Sequence, residues 1–185
     1  MTYTSPNSQK PLHQFTYLAE DLKSAVNRRS WRWISIWFTG VTYVLVSYRL
    51  DRLGFLLFKK AWSVIRICFF PFSIIFHILG SHHEIHYTAD IGGGFKILHS
   101  ALGLVIAGNT IAGKGLLLTG GNCIGARAHI KYGDLVIGDD VSLGANAVVL
   151  GPVRIGSHVR IGAGAVVVDD APDNVVLVGV PAKAK

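Results

Sequence analysis

Branched apolar residues stand at Ile137, Leu143, Val149, Ile155, Ile161 and Val167, a period of six held without a slip. Six matches neither the 3.6-residue period of an amphipathic helix nor the two-residue alternation of a half-buried strand. It fits a coil with three flat sides, each a short strand closed by a turn, with one apolar residue per side pointing inward. Small residues follow most of these positions, as tight corners demand. The same period is legible in Ile85, Ile91 and Ile97, and again in Ile111, Leu117 and Cys123. The gaps from 97 to 111 and from 123 to 137 are each fourteen, two hexads plus two residues. Two small insertions are therefore expected in one continuous parallel β-helix, whose coils would lie about 4.8 Å apart.

The chain changes character near Gly80. Residues 1–80 hold ten Lys or Arg against three Asp or Glu, whereas 81–185 hold eight of each, so the net charge of +7 belongs to the first part. That part also holds all four Trp and eight of the nine Phe. The expected organisation is an α-helical, apolar and basic N-terminal region over 1–80 and a β-helix domain over 81–185.

Segments 33–48 and 67–83 lack Lys, Arg, Asp and Glu, but they are sixteen and seventeen residues long and Pro71 interrupts the second. Both fall short of the roughly 20 residues that span a bilayer. Between them Arg49, Arg52, Lys59, Lys60, Ser63 and Arg66 fall largely at three- and four-residue spacings. They read as a basic stripe on a helix lying in a membrane interface against anionic lipid. The alternative is an apolar helical collar packed on the β-helix or between subunits. Basic residues alternating with bulky aliphatics, without a recognition motif, argue against nucleic acid as a partner. Half the residues are hydrophobic and 16% charged, which argues against disorder. The N-terminus lacks the order of a secretory signal, and Cys68 and Cys123 follow no metal-ligand spacing. The expected location is cytoplasmic, peripheral on the inner face of the membrane, and no metal is expected. His82, His83 and His86 read as surface residues at the β-helix entrance, and His129 and His158 as solvent-facing.

EIHYTADIGGG from Glu84, ILHSALGLVI from Ile97, the hexads, and the closing VVVDDAPDNVVLVGVPAKAK together resemble the hexapeptide-repeat acyltransferases. The branch resembled contains serine acetyltransferases and O-acetyltransferases of surface-polysaccharide pathways, and the resemblance covers 81–185. It implies a left-handed β-helix, a homotrimer, acetyl-coenzyme A as acyl donor and a site built between two subunits. It further implies a dyad of Glu84 and His99, fifteen positions apart. An alcohol is a weak nucleophile at neutral pH, so a base must take its proton as it attacks the thioester. His99 is the expected base, and Glu84 the carboxylate that orients its ring.

On the donor side, a backbone amide of Gly120 or Gly121 is the candidate oxyanion donor. The resemblance lays the coenzyme's arm along Gly144, Ala145, Gly162 and Ala163, and brings Lys183 near the nucleotide phosphates as a point charge. Serine acetyltransferases usually carry Asp immediately before the catalytic histidine, and an Arg-His pair about two coils later. Here Leu98 precedes His99 and the later stretch reads AHIKYGDLVIG. The expected acceptor is therefore a sugar hydroxyl on a surface-polysaccharide or lipid-linked glycan. Serine is the first alternative, and a catalytically idle scaffold the second.

Overall fold

The computed structural model describes residues 10–26, 40–68, 83–127 and 131–185. The boundary expected near Gly80, His82, His129, and residues 33–39 and 69–82 of the two uncharged segments lie outside them. Two helices, α1 (His13–Val26) and α2 (Gly40–Phe58), precede a short 3₁₀ turn (Lys59–Ala61) and helical residues 62–68. From His83 onward the chain is a parallel β-solenoid of three sheets. The first sheet stacks β1 (His83–Ile85), β4 (Leu104–Ile106), β7 (Asn122–Ala126), β10 (Val148–Gly151) and β13 (Val166–Val167). The second stacks β2 (Asp90–Ile91), β5 (Thr110–Ala112), β8 (Leu135–Ile137) and β11 (Val153–Ile155). The third stacks β3 (Lys96–Ile97), β6 (Leu117–Leu118), β9 (Ser142–Leu143), β12 (Arg160–Ile161) and β14 (Val176–Gly179), and closes with antiparallel β15 (Ala182–Ala184).

Register aligns an inward column of branched or small residues on each sheet. Ile85, Ile106, Ile124, Val149 and Val167 align on the first. Ile91, Ala112, Ile137 and Ile155 align on the second. Ile97, Leu118, Leu143, Ile161 and Leu177 align on the third. The inward residues of the second coil are thus Ala112, Leu118 and Ile124, one position beyond the expected Ile111, Leu117 and Cys123. Both members of each neighbouring pair are apolar or small, so the sequence alone fits either phase, and a one-residue slip exchanges the faces. The insertions differ from two equal ones accordingly. Three extra residues lie between Ile97 and Ile106, forming the 3₁₀ turn Ser100–Leu102, and seven lie between Ile124 and Ile137.

The helices cap the open end of this stack. A first coil has no preceding coil to satisfy its backbone, which leaves an exposed sheet edge. Helix α2 supplies partners from three side chains. Arg49 donates to the carbonyls of Ile91 and Gly92, each at 2.7 Å. Tyr48 donates to the Ala89 carbonyl at 2.9 Å and accepts the Ile91 amide at 3.2 Å. Arg52 donates to the Thr88 carbonyl at 2.9 Å. Arg49 is 1% exposed, pairs with Asp21 of α1 at 2.8 Å, and lies between the rings of Tyr17 and Tyr48. Asp21 in turn accepts the Phe95 amide at 2.8 Å. Burial pushes the Asp21 carboxyl above its ordinary range, against the opposing pull of Arg49. Val44, Leu45 and Tyr48 join the same apolar core as Phe95 and the inward columns.

Arg49 and Arg52 therefore do not belong to a lipid-facing stripe. They point into the protein because Asp21, Asp90 and four backbone carbonyls of the first coil draw them there. Spacing along the helix could not show this, since every one of those partners is distant in sequence. Among the described residues no helix is long and apolar enough to cross a membrane. Arg49→Ala strands Asp21 as a buried unpaired carboxylate, and breaking such a pair costs about 3–5 kcal/mol. The expected outcome in denaturant unfolding is a large fall in the midpoint; an unchanged midpoint contradicts the capping role.

Candidate active site

The register that aligns the inward columns also aligns a corner. Two residues beyond Ile97, Leu118, Leu143 and Ile161 stand His99, Gly120, Ala145 and Ala163. They occupy one edge of the solenoid, between the third and first sheets. Backbone bonds tie the edge from coil to coil: the His99 amide donates to the Thr119 carbonyl at 3.0 Å, and the Thr119 amide to the Leu143 carbonyl at 3.0 Å. The Gly144 amide continues the series to the Ile161 carbonyl at 2.8 Å, and the Gly162 amide to the Leu177 carbonyl at 2.8 Å. At about 4.8 Å per coil, the edge runs roughly 19 Å from His99 to the β14–β15 hairpin. There Lys183 pairs in register with Val178, and its ammonium stands 3.3 Å from Asp169, both exposed.

Two turns on this edge are built alike. The Ala147 amide closes onto the Gly144 carbonyl at 3.1 Å, and the Ala165 amide onto the Gly162 carbonyl at 3.2 Å. The third residues, Asn146 and Gly164, sit in left-handed conformations with φ of 57 and 67°. The second residues are Ala145 and Ala163, whose amides are not among the donors that close the turns or bridge the coils. A column of such amides suits an elongated ligand held through main-chain groups.

Gly120 and Gly121 are employed differently from the sequence expectation. The Gly120 amide donates to Asn122 Oδ1 at 2.9 Å, and the Gly121 amide to the Gly103 carbonyl at 2.8 Å. Both amides are engaged inside the chain, so neither is left over for an oxyanion. Their φ values of 137 and 67° explain why glycine stands here. A Cβ on Gly120 would meet the His99 carbonyl, and one on Gly121 would meet Asn146 Oδ1.

Asn122 is a residue that sequence reasoning missed. It points inward, 1% exposed, in the column of Leu104, Ala147 and Ala165. Its Nδ2 donates to the Gly144 carbonyl at 2.7 Å while its Oδ1 holds the Gly120 amide. It thereby ties two successive corners of the edge directly beneath His99. The available signal was a polar residue between Leu104 and Ala147, visible only once the insertion after His99 is phased correctly.

His99 leads into the 3₁₀ turn with an extended backbone (φ −130°), and its side chain is exposed. Glu84 is exposed on β1, opposite Val105 of β4, the strand that follows the His99 corner. Fold and register bring the two to the same end of the solenoid, but no hydrogen bond or ion pair joins them within the described residues of one chain. A hollow of about 510 Å³ lies beside Glu84, with Leu102, Leu104, Val105, Asn122 and Cys123 among its walls.

The profile of the bacterial transferase hexapeptide (six repeats) matches residues 134–169. Over 124 residues the chain is 36% identical to WcaB of Escherichia coli (strain K12), a relative named for acetyl transfer in colanic acid biosynthesis, across 67% of this chain and 69% of that one. It is 42% identical over 106 residues to a serine acetyltransferase of Mycobacterium tuberculosis (strain ATCC 25618 / H37Rv), across 54% of this chain and 44% of the relative. Among solved structures, the Neisseria gonorrhoeae serine acetyltransferase superposes with a TM-score of 0.75 at 29% identity, over 94% of this chain and 65% of that one. This chain thus spans a little under two thirds of the neisserial enzyme. The Brucella abortus strain S19 serine acetyltransferase, solved with coenzyme A, shares the fold with a TM-score of 0.74 at 22% identity, over 94% of this chain and 68% of that one.

Fold, edge and repeats define a hexapeptide-repeat transferase. The chain belongs to the hexapeptide-repeat acyltransferase family, among its acetyltransferases.

The Asn122 contacts make a measurable claim. Asn122→Leu leaves the buried Gly120 amide without its acceptor, at a cost of about 1–3 kcal/mol. Unfolding should show that loss, and hydrogen exchange should quicken at Gly120 before it does at β12. Uniform exchange along the solenoid would contradict the local role.

Proposed function

We propose that this chain is an acetyl-coenzyme A-dependent O-acetyltransferase whose acceptor is a sugar hydroxyl of a surface polysaccharide or lipid-linked glycan. The observation that carries the acceptor is the charge of the hollow beside Glu84: no Lys or Arg is among its described walls. A free amino acid brings a carboxylate that a selective site must pair, and an unpaired charge in a closed site discriminates strongly against its owner. Leu98, 44% exposed, adds an apolar group beside His99. The wider coverage of the colanic acid relative supports the same side, and the serine acetyltransferase relatives keep serine as the second reading.

His99 is the base, taking the hydroxyl proton and returning it to the leaving thiolate. Glu84 orients its ring and stabilises the imidazolium, which requires the two side chains to swing together when the site fills. Bound acetyl-coenzyme A supplies the acetyl thioester. The main-chain amides of Ala145 and Ala163 hold its arm at turns that Gly144 and Gly162 begin, with Gly120 and Gly121 shaping the corner near His99 and Lys183 meeting phosphate at the far end. A homotrimer covers Leu102 and Val105, which stand exposed beside the hollow in one chain.

Attachment to an anionic membrane surface, if Arg49 and Arg52 are removed from it, rests on the exposed Leu57, Phe58, Lys59, Lys60, Val64 and Ile67. Paired substitution of Phe58→Ser and Lys60→Glu should then release the protein from anionic vesicles in sedimentation, since each basic residue near such a surface contributes about 1 kcal/mol. Equal sedimentation of both proteins contradicts this contact.

His99→Ala should reduce acetyl transfer by about a hundredfold or more at unchanged thermal stability, as general-base assistance contributes about 10²–10⁴. Glu84→Gln should lose less. Full transfer by folded His99→Ala, or efficient O-acetylserine formation by the unmodified protein, contradicts the reading.

A further inference from the structure

A second and larger hollow, about 750 Å³, opens between α2 and the corner that joins the first sheet to the second. Its size lies within the range of small-molecule sites. Arg52 and Lys59 contribute positive charge from the helical side, Phe55 and Tyr132 contribute ring surface, and no Asp or Glu lines it among the described residues. Arg52 is 3% exposed and pairs with Asp90 at 3.4 Å through Nη2, yet its Nε is buried without an acceptor among the described residues. Nε itself is closed off, so an anion in the hollow would meet Arg52 as a charge rather than through that N–H.

His86 lines the same hollow. The Thr88 hydroxyl gives its hydrogen to the Gly108 carbonyl at 2.9 Å, so the 2.7 Å contact between His86 Nδ1 and Thr88 Oγ1 has the ring donating. This outweighs the longer 3.3 Å approach of the Thr88 amide to the same nitrogen. Burial, and then Arg66, hold the imidazole below its ordinary pKa, so it is neutral at neutral pH. Nε2 then offers a lone pair to a hydroxyl. Two cations, a neutral acceptor and flat apolar walls are the complement of a phosphorylated sugar. The hollow is also close to the transfer site. His86 is two residues beyond Glu84, about 7 Å along an extended chain.

We propose that this hollow is the anchoring subsite for the acceptor, holding the phosphate or diphosphate of a phosphorylated sugar at Arg52 and Lys59 while a sugar hydroxyl lies toward Glu84. The inference rests on the sugar-acceptor reading above and narrows it to sugars carrying a phosphate. A nucleotide sugar and a polyprenyl-diphosphate sugar share that chemistry.

The test is calorimetric titration of the full chain, saturated with coenzyme A to occupy the donor edge. The probes are inorganic pyrophosphate, a uridine-diphosphate sugar, a polyprenyl-diphosphate sugar in detergent micelles, and the matching neutral methyl glycoside. Binding of pyrophosphate and of at least one sugar diphosphate is expected, with the preferred sugar diphosphate identifying the source. Lys59→Gln, at an exposed position, should weaken both at least tenfold without changing coenzyme A affinity. Ala107→Phe, which fills the hollow, should abolish both. Absence of pyrophosphate and sugar-diphosphate binding, or equal affinity in folded Lys59→Gln, overturns the subsite. Acetyl transfer to the neutral glycoside without anion binding would sink the subsite and spare the sugar reading. Lys59-dependent anion binding without transfer to any sugar would spare the subsite and sink that reading.

Discussion

Parallel register between short strands organises this protein. Ile97 pairs with Leu118, Leu118 with Leu143 and Leu143 with Ile161, and each pairing fixes what lies two residues further along. The edge that carries His99, Gly120, Ala145 and Ala163 is therefore a consequence of core stacking rather than a separate construction. Hydrophobic burial of branched side chains sets the register, and backbone bonds at the corners transmit it to the surface. The three-residue insertion after Ile97 breaks the period where a histidine must leave the wall of the solenoid. Asn122 ties the Gly120 and Gly144 corners together on the inside, beneath the disturbed one.

The same stacking creates the problem that the helices solve. The interior coils are satisfied from both sides, whereas the first would expose its carbonyls and amides. Arg49, Tyr48 and Arg52 take that place with side-chain donors, and Asp21 with an acceptor, so the cap is polar at its heart and apolar around it. Such a buried pair is costly to desolvate, and its geometry compensates by giving the guanidinium several acceptors at once. The cap also makes one wall of the larger hollow, through Arg52 and Phe55. Cap and both hollows thus gather at the end of the solenoid where the first coil begins.

The repeat was legible because six consecutive hexads from Ile137 to Val167 repeat without error, and all six residues are buried. The phase of the second coil was not, because Ile111–Ala112, Leu117–Leu118 and Cys123–Ile124 offer apolar or small residues at both positions. His99, Ala145 and Ala163 were reachable from motif and period, which place them on equivalent corners. Their relation to Asn122 was hidden by the phase error. The roles of Arg49 and Arg52 were misread for a different reason: a helical charge pattern records where charges stand, not whether a distant carboxylate or an unpaired sheet edge waits for them.

The central claim is that one edge of the solenoid is the donor groove. Amide hydrogen exchange in the presence and absence of coenzyme A tests it most directly, because Ala145 and Ala163 have amides that neither close their turns nor bridge the coils. Exchange at these two positions should slow markedly on binding, together with positions near His99, while β8 and β11 on the second sheet stay unchanged. Protection confined to the second sheet, with Ala145 and Ala163 exchanging as before, would contradict it.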